Sequence, residues 1–317
     1  MGLDETLFFR KAKFKRYIYE NLEIAICIPN VGDSFSRVSD CLGGAPLLSV
    51  FAHLGYVDMV HALVEFGADV GAVNSEAGSA PLAFAAAKGH LDVVRALLSH
   101  GAAVNAVDRS DVSALVCAAR QGHLDVVGHM VSNCEWNTDQ VLDLGLNEAV
   151  QQAMVAAADK GHEQVLEFLL DMSEVKADLP DTLMGQTGIC SISNFPGFLF
   201  SKTILFPFLG LCAAAGNGHL KCCEILLRRG AKVSTTNLEG NPALYNAVSS
   251  GHWPVTELLI KEGAKLDQTD SLGRTPLMAA AKEGHAGLVE LIVNKGGKHL
   301  LESRDKDGRT PLIWASR

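Results

Sequence analysis

Residues Ser79 to Asn105 read SAPLAFAAAKGHLDVVRALLSHGAAVN, and the order of starts and stops in this stretch defines a folding unit. Pro81 lacks only an N–H that a helix's first turn leaves unused, so Ser79-Ala80-Pro81 opens a helix. Leu82 to Lys88 forms a short Ala-rich helix whose small side chains admit a close neighbour. Gly89 supplies the left-handed conformation that ends this helix and turns the chain. Leu91 to Ser99 is a second helix, with Val93, Val94, Leu97 and Leu98 directed inward. Gly101 ends it in the same way, and Val104-Asn105 leads toward the next turn. Such a pair cannot bury its apolar stripe alone and requires stacked copies of itself.

The copies are present. Gly-His pairs stand at 89–90, 122–123, 161–162, 218–219, 251–252 and 284–285, with Gly55-Tyr56 in the same place at the front. Successive glycines are 34, 33, 39, 57, 33 and 33 residues apart. A period near 33 implies one helix pair repeated along a solenoid, each unit touching only its neighbours. Gly273 to His285 is the cleanest copy, where the Thr275 hydroxyl can cap the first helix. Thr310-Pro311-Leu312 opens another, and Gly67-Ala68-Asp69-Val70, Gly230-Ala231-Lys232-Val233 and Gly263-Ala264-Lys265-Leu266 are second-helix endings.

On these residues the chain resembles the ankyrin repeat family: T-P-L, A-A, G-H and G-A-D-V-N recur at fixed offsets from about residue 45 to 317. The resemblance implies an all-α solenoid of about seven repeats plus a C-terminal half repeat. Each repeat would be a helix-turn-helix followed by a β-hairpin-like finger, and partners would meet the finger tips and the concave, first-helix face. Departures are local: Asn241-Pro242 displaces the usual Thr-Pro, Ser113-Ala114 lacks the proline, and the repeat near Met154 has neither.

The register breaks twice. Between Gly122 and Gly161 the period runs six residues long, and a longer surface connection within Asn133 to Asn147 absorbs them. Between Gly161 and Gly218 a block of 22 residues, Gly188 to Leu209, has no place in the pattern. It holds five of the 13 phenylalanines, and a long exposed aromatic loop in mid-repeat is unfavourable. The preferred expectation is an unusual splice form or a sequence artefact; the second is a loop that inserts into a partner. Residues 1–44 do not match the repeat and read as a flank or cap. The last copy stops before its Gly-His, so the chain reads as a fragment of something longer.

Composition narrows the function classes. The apolar content is 48% but only 6% aromatic, which suits closely packed helices. A formal charge of −9 argues against nucleic acid as the main partner. Eight cysteines show no C-x-x-C spacing, and Cys117 and Cys212 fall in Ala-rich helices where a reduced thiol acts as a small hydrophobe. With no secretory signal and no stretch long enough to span a membrane, a cytoplasmic location is expected.

The repeated histidines are spaced as a ladder of inter-repeat hydrogen bonds rather than a metal centre. Gly197 to Thr203 only mimics the end of a phosphate loop, and no nucleophile–base constellation stands apart from the repeats. The basic-aromatic stretch from Phe8 to Tyr17 reads as a solvated capping segment. No catalytic residue, cofactor or metal is expected. Candidate partner-binding residues are those the repeat leaves exposed. On the finger tips they are Glu76, Arg109, Asp111, Glu239, Asp270 and Arg274, with Asp307 and Arg309. On the first-helix face they are Phe84, Lys88, Arg120, Gln121, Asn246, Lys282 and Glu283.

Within the family the chain looks most like the TANC / rolling pebbles scaffolds. Leu146 to Ala158 (LNEAVQQAMVAAA), Gly185-Gln186-Thr187, Leu211 to Gly218 and Gly251-His252-Trp253 carry that likeness. It implies a scaffold or adaptor for signalling and cytoskeletal proteins at the membrane cortex or a synapse-like junction. The competing expectation is a regulatory module of an enzyme or ATPase whose catalytic domain lies elsewhere. A monomer is expected.

Overall fold

The computed structural model describes residues 46–134, 146–172, 206–237, 239–296 and 298–316. The flank at 1–44, the phosphate-loop mimic and all but residues 206–209 of the 22-residue block lie outside the described residues. Two compact units are present, one within residues 1–146 and the other within 147–317.

In the first unit the helices are α1 (Leu47–Leu54), α2 (Val57–Glu65), α3 (Pro81–Lys88), α4 (Leu91–Ser99), α5 (Ala114–Gln121) and α6 (Leu124–Asn133). First helices α1, α3 and α5 pack side by side as one layer, and second helices α2, α4 and α6 form the other. The Ala-rich first helices explain the tighter layer: Ala85, Ala86, Ala118 and Ala119 are wholly buried where neighbouring backbones approach. In α4 the inward stripe is Val93, Val94, Ala96 and Leu97. Leu98, expected inside, is half-buried, because it lies on the edge of that stripe rather than at its centre.

The second unit holds α7 (Leu146–Lys160), α8 (Glu163–Met172), α9 (Phe206–Gly216), α10 (Leu220–Arg228), α11 (Ala243–Ser249), α12 (Trp253–Lys261), α13 (Pro276–Lys282), α14 (Ala286–Gly296) and α15 (Pro311–Ala315). The same layering recurs, α9, α11, α13 and α15 against α8, α10 and α12. Pro81, Pro276 and Pro311 open their helices at the first turn, whereas Pro242 sits one place earlier, at the N-cap. Thr275 caps α13 by accepting the Met278 amide at 3.3 Å, and Ser113 does the same for α5 from Val116 at 3.4 Å.

The six extra residues before Gly161 are not in a connection. Helix α7 starts 24 residues after Gly122, close to the 25 that separate Gly89 from α5, so that spacer is ordinary. Instead α7 is 15 residues long against eight in α3 and α5. Leu146 to Lys160 contains no glycine or proline, so nothing stops the helix before Gly161. Helix α9 likewise takes in residues 206–209, the end of the unplaced block. No strands of more than one residue form among the described residues; the fingers close through isolated antiparallel bridges, Val107 with Ser113 and Thr236 with Pro242.

Candidate functional site

The repeat junctions set where every exposed side chain lies. At each junction glycine takes φ of 73–81° to end the first helix, and the histidine after it starts the second. The imidazole then reaches back one repeat. His90 Nε2 donates to the His53 carbonyl at 3.0 Å and His123 to Ala87 at 3.2 Å. In the second unit His219 donates to Asp159 (3.0 Å), His252 to Gly216 (3.0 Å) and His285 to Ser249 (3.2 Å). A carbonyl acceptor requires the proton on Nε2. The glycine has a second role here: a Cβ on Gly55, Gly89, Gly161, Gly218 or Gly251 would meet the next repeat's imidazole at under 3.0 Å. The histidines are therefore inter-repeat ties, spread along the array and committed to backbone.

The fingers are organised by one acceptor each. Asp108 Oδ1 receives the amides of Ser110 (2.8 Å) and Val112 (3.0 Å), and Asn237 Oδ1 receives Glu239 (3.0 Å) and Asn241 (2.9 Å). Asp270 Oδ1 receives Leu272 (2.9 Å) and Arg274 (2.7 Å), and Asp305 Oδ1 receives Asp307 (3.0 Å) and Arg309 (2.8 Å). These are side-chain turns that replace a backbone bond and tighten the finger. The expectation of an exposed Asp270 is thereby corrected. It is 5% exposed, and its Oδ2 accepts Arg274 Nε at 2.6 Å. A carboxylate that must satisfy amides cannot stay at the tip.

Adjacent tips are tied together. Arg109 donates its amide to Ala77 O (2.9 Å) and its guanidinium to Glu76 O (2.9 Å), which brings those two candidates into contact. In the second unit Lys306 donates its amide to Leu272 O (3.1 Å) and its Nζ to Ser271 O (2.6 Å). Asp111 and Glu239 are exposed. Asp111 has φ of 59° where the other fingers carry Gly240, Gly273 and Gly308, and no other non-glycine among the described residues has positive φ. Glu239 accepts from Asn241 Nδ2 at 3.0 Å.

At the first-helix ends of the first unit, Lys88, Arg120 and Gln121 are exposed and Phe84 is half-buried. The Phe84 ring meets His53 edge-on, centroids 6.3 Å apart. Burial and, secondarily, the charge of Lys88 hold the His53 imidazole below its usual range, so it is neutral at pH 7. Lys88 has no ion pair among the described residues. Beside this row lies a mostly apolar cleft lined by Val70, Val73, Leu82, Ala83, Ala106 and Val112.

The matching row of the second unit is internally paired. Lys160 meets Asp159 at 3.2 Å, Asn217 donates to Asp159 at 2.9 Å, and Lys282 meets Glu283 at 2.6 Å, which holds the Glu283 carboxyl below its usual range. Asn246 is half-buried next to Gly216. Arg274 lies over the rings of Tyr245 (5.6 Å) and Trp314 (5.9 Å), and Arg309 lies over Trp314 at 5.3 Å. The Trp314 indole donates to Asp305 Oδ2 at 3.0 Å. Asp307 is exposed and pairs with Arg309 at 2.7 Å.

Tyr245, Asp305 and Trp314 were missed by sequence reasoning. The repetition of Asp-x-x-Gly-Arg-Thr at 270 and 305 signalled the aspartate, and both aromatics stand three residues after Pro242 and Pro311, as Phe84 stands after Pro81. Burial pushes the thiols of Cys117 and Cys222 up to about 11, and those of Cys212 and Cys223 to about 12, which leaves them protonated packing groups. No described helix is long and apolar enough to cross a membrane.

Residues 47–140, 209–270 and 254–317 each match the family model for ankyrin repeats (3 copies), and together they take in more than half of the chain. The crystal structure of the human ASB11 ankyrin repeat domain superposes with a TM-score of 0.57 at 22% identity, covering 78% of this chain and 97% of that one. At that identity the likeness speaks for the fold, and ankyrin repeats in general are modules that bind other proteins. The stacked helix pairs, the tied fingers and these matches together place the chain in the ankyrin repeat family.

Proposed function

We propose that this chain is a non-enzymatic scaffold or adaptor segment that holds partner proteins against its finger tips and first-helix face. The observation that carries this reading is the division of labour among polar groups. Histidines, finger aspartates and the cysteines are consumed in holding the array together. Glu76, Lys88, Arg120 and Gln121 stand exposed on a surface held in place by rigid helices and by fingers tied to their neighbours. A preorganised surface loses little entropy on binding, which suits recognition. The likeness of Leu146 to Ala158 to the TANC / rolling pebbles scaffolds supports a place among cortical or junctional assemblies.

Crosslinking mass spectrometry on the full-length protein with its captured partners tests this. Crosslinks are expected at Lys88, Lys282 and the acidic tips Glu76 and Glu239. Crosslinks concentrated instead on Lys221 and Lys261 of the second helices would overturn it.

A further inference from the structure

The first-helix row of the first unit differs in sign from the chain that carries it. The chain has a formal charge of −9, yet α1, α3 and α5 contain no Asp or Glu and carry His53, Lys88 and Arg120 in their last turns. The acidic residues of those repeats sit elsewhere, on second helices (Asp58, Glu65, Asp92, Asp125) or in the connections and fingers (Asp69, Glu76, Asp108, Asp111). Lys88 and Arg120 stand in the last turns of adjacent first helices, one place out of register, and both are exposed. Phe84, one helical turn before Lys88, offers a half-buried ring on the same face.

From this we infer that the row takes an extended acidic peptide whose carboxylates fall three residues apart, with an apolar side chain between them against Phe84. The proposal deepens the scaffold reading and rests on it. The spacing follows from two lengths. Helices packed side by side lie about 8–10 Å apart. A polyproline-type strand repeats its face every three residues, about 9.3 Å. Carboxylates at i and i+3 therefore meet Lys88 and Arg120 without bending, whereas carboxylates at adjacent positions point to different sides. Lys88 is the stronger anchor, because no internal carboxylate among the described residues has to be displaced from it. The second unit presents no equivalent, since Lys160 and Lys282 are already neutralised by Asp159 and Glu283.

Fluorescence anisotropy with the full chain tests the inference, using labelled (Glu-Pro-Leu)4 as probe. Two reference peptides are (Gln-Pro-Leu)4 and a same-composition peptide with its four glutamates contiguous. The (Glu-Pro-Leu)4 peptide should bind at least about tenfold more tightly than either. The double change Lys88→Glu with Arg120→Glu should weaken it by at least about tenfold and should create affinity for (Lys-Pro-Leu)4. That gain is possible only for a folded, charge-reversed surface. Lys261→Glu, on a second helix away from this face, should change nothing. Equal binding of the contiguous peptide, unaltered binding by the double variant, or equal binding of single-stranded DNA overturns the inference. If partner crosslinks fall on the first-helix face while (Glu-Pro-Leu)4 fails to bind, this inference falls and the scaffold reading stands; crosslinks on second helices remove both.

Discussion

Set beside each other, the two units use one framework for different ends. Both stack Ala-rich first helices, tie repeats by a histidine to a carbonyl, and turn fingers on a buried or half-buried aspartate or asparagine. They part company where the side chains leave the core. The second unit spends its charges internally, on Lys160–Asp159, Lys282–Glu283 and the Arg274–Asp270 pair beneath Tyr245. The first unit leaves Lys88 without an ion pair among the described residues and sets Phe84 against a neutral His53. Backbone ties are indifferent to surface chemistry, so the same array carries a cross-linked face in one half and an open one in the other.

The framework shared by both units can be broken at its glycines. Gly218→Ala should destabilise by about 2–4 kcal/mol, since the methyl adds left-handed strain and drives into the His252 ring. Gly263→Ala has the same strain but nothing within 4 Å, and should cost about 1 kcal/mol. Urea midpoints read both; equal losses would dismiss the imidazole contact.

Finger chemistry sharpens the contrast. Asp270→Ala removes the acceptor of two amides and a guanidinium, and should cost about 2–3 kcal/mol. Asp108→Ala in the first unit removes two amide bonds and no ion pair, about 1 kcal/mol. Thermal melts of the two variants should differ in that order, and a reversal would mean the Arg274 pair adds nothing.

Alkaline pH should separate the units. Burial raises the thiols of Cys212, Cys222 and Cys223 and, with Asp270 accepting from the phenol, takes Tyr245 to about 12. Groups with raised folded values stabilise fully below their unfolded pKa and lose that contribution as pH climbs to the folded one. The second unit should therefore weaken from about pH 9 toward 12, ahead of the first, where only the half-buried Cys117 and Cys134 are raised among the described thiols. Hydrogen exchange resolved by unit reads this; simultaneous loss would contradict it.

The smallest effect concerns Asp111, held at φ 59° in a glycine's place. Asp111→Gly should raise stability by about 0.5–1 kcal/mol by relieving that strain. An unchanged melting temperature would mean the aspartate tolerates the conformation freely.

Much of this was legible beforehand because the signals are local. Pro81, Gly89 and Gly101 bound two helices whatever surrounds them, and the histidine after each junction glycine reads as a rung, which His90, His123, His219, His252 and His285 are. The extra residues before Gly161 were misassigned because spacing counts residues between stops without saying which conformation absorbs them. Asp270 was misplaced because a turn motif looks the same whether its carboxylate faces water or its own amides.

The sequence by itself determined the period, the helix pairs and the membership that follows from them, since caps, breakers and apolar stripes act over a few residues. Only the tertiary structure decided which charges stay open. That depends on what the neighbouring repeat places within reach: Tyr245 and Trp314 over Arg274, the next repeat's imidazole over Gly55, Gly89, Gly161, Gly218 and Gly251, and no carboxylate beside Lys88 among the described residues.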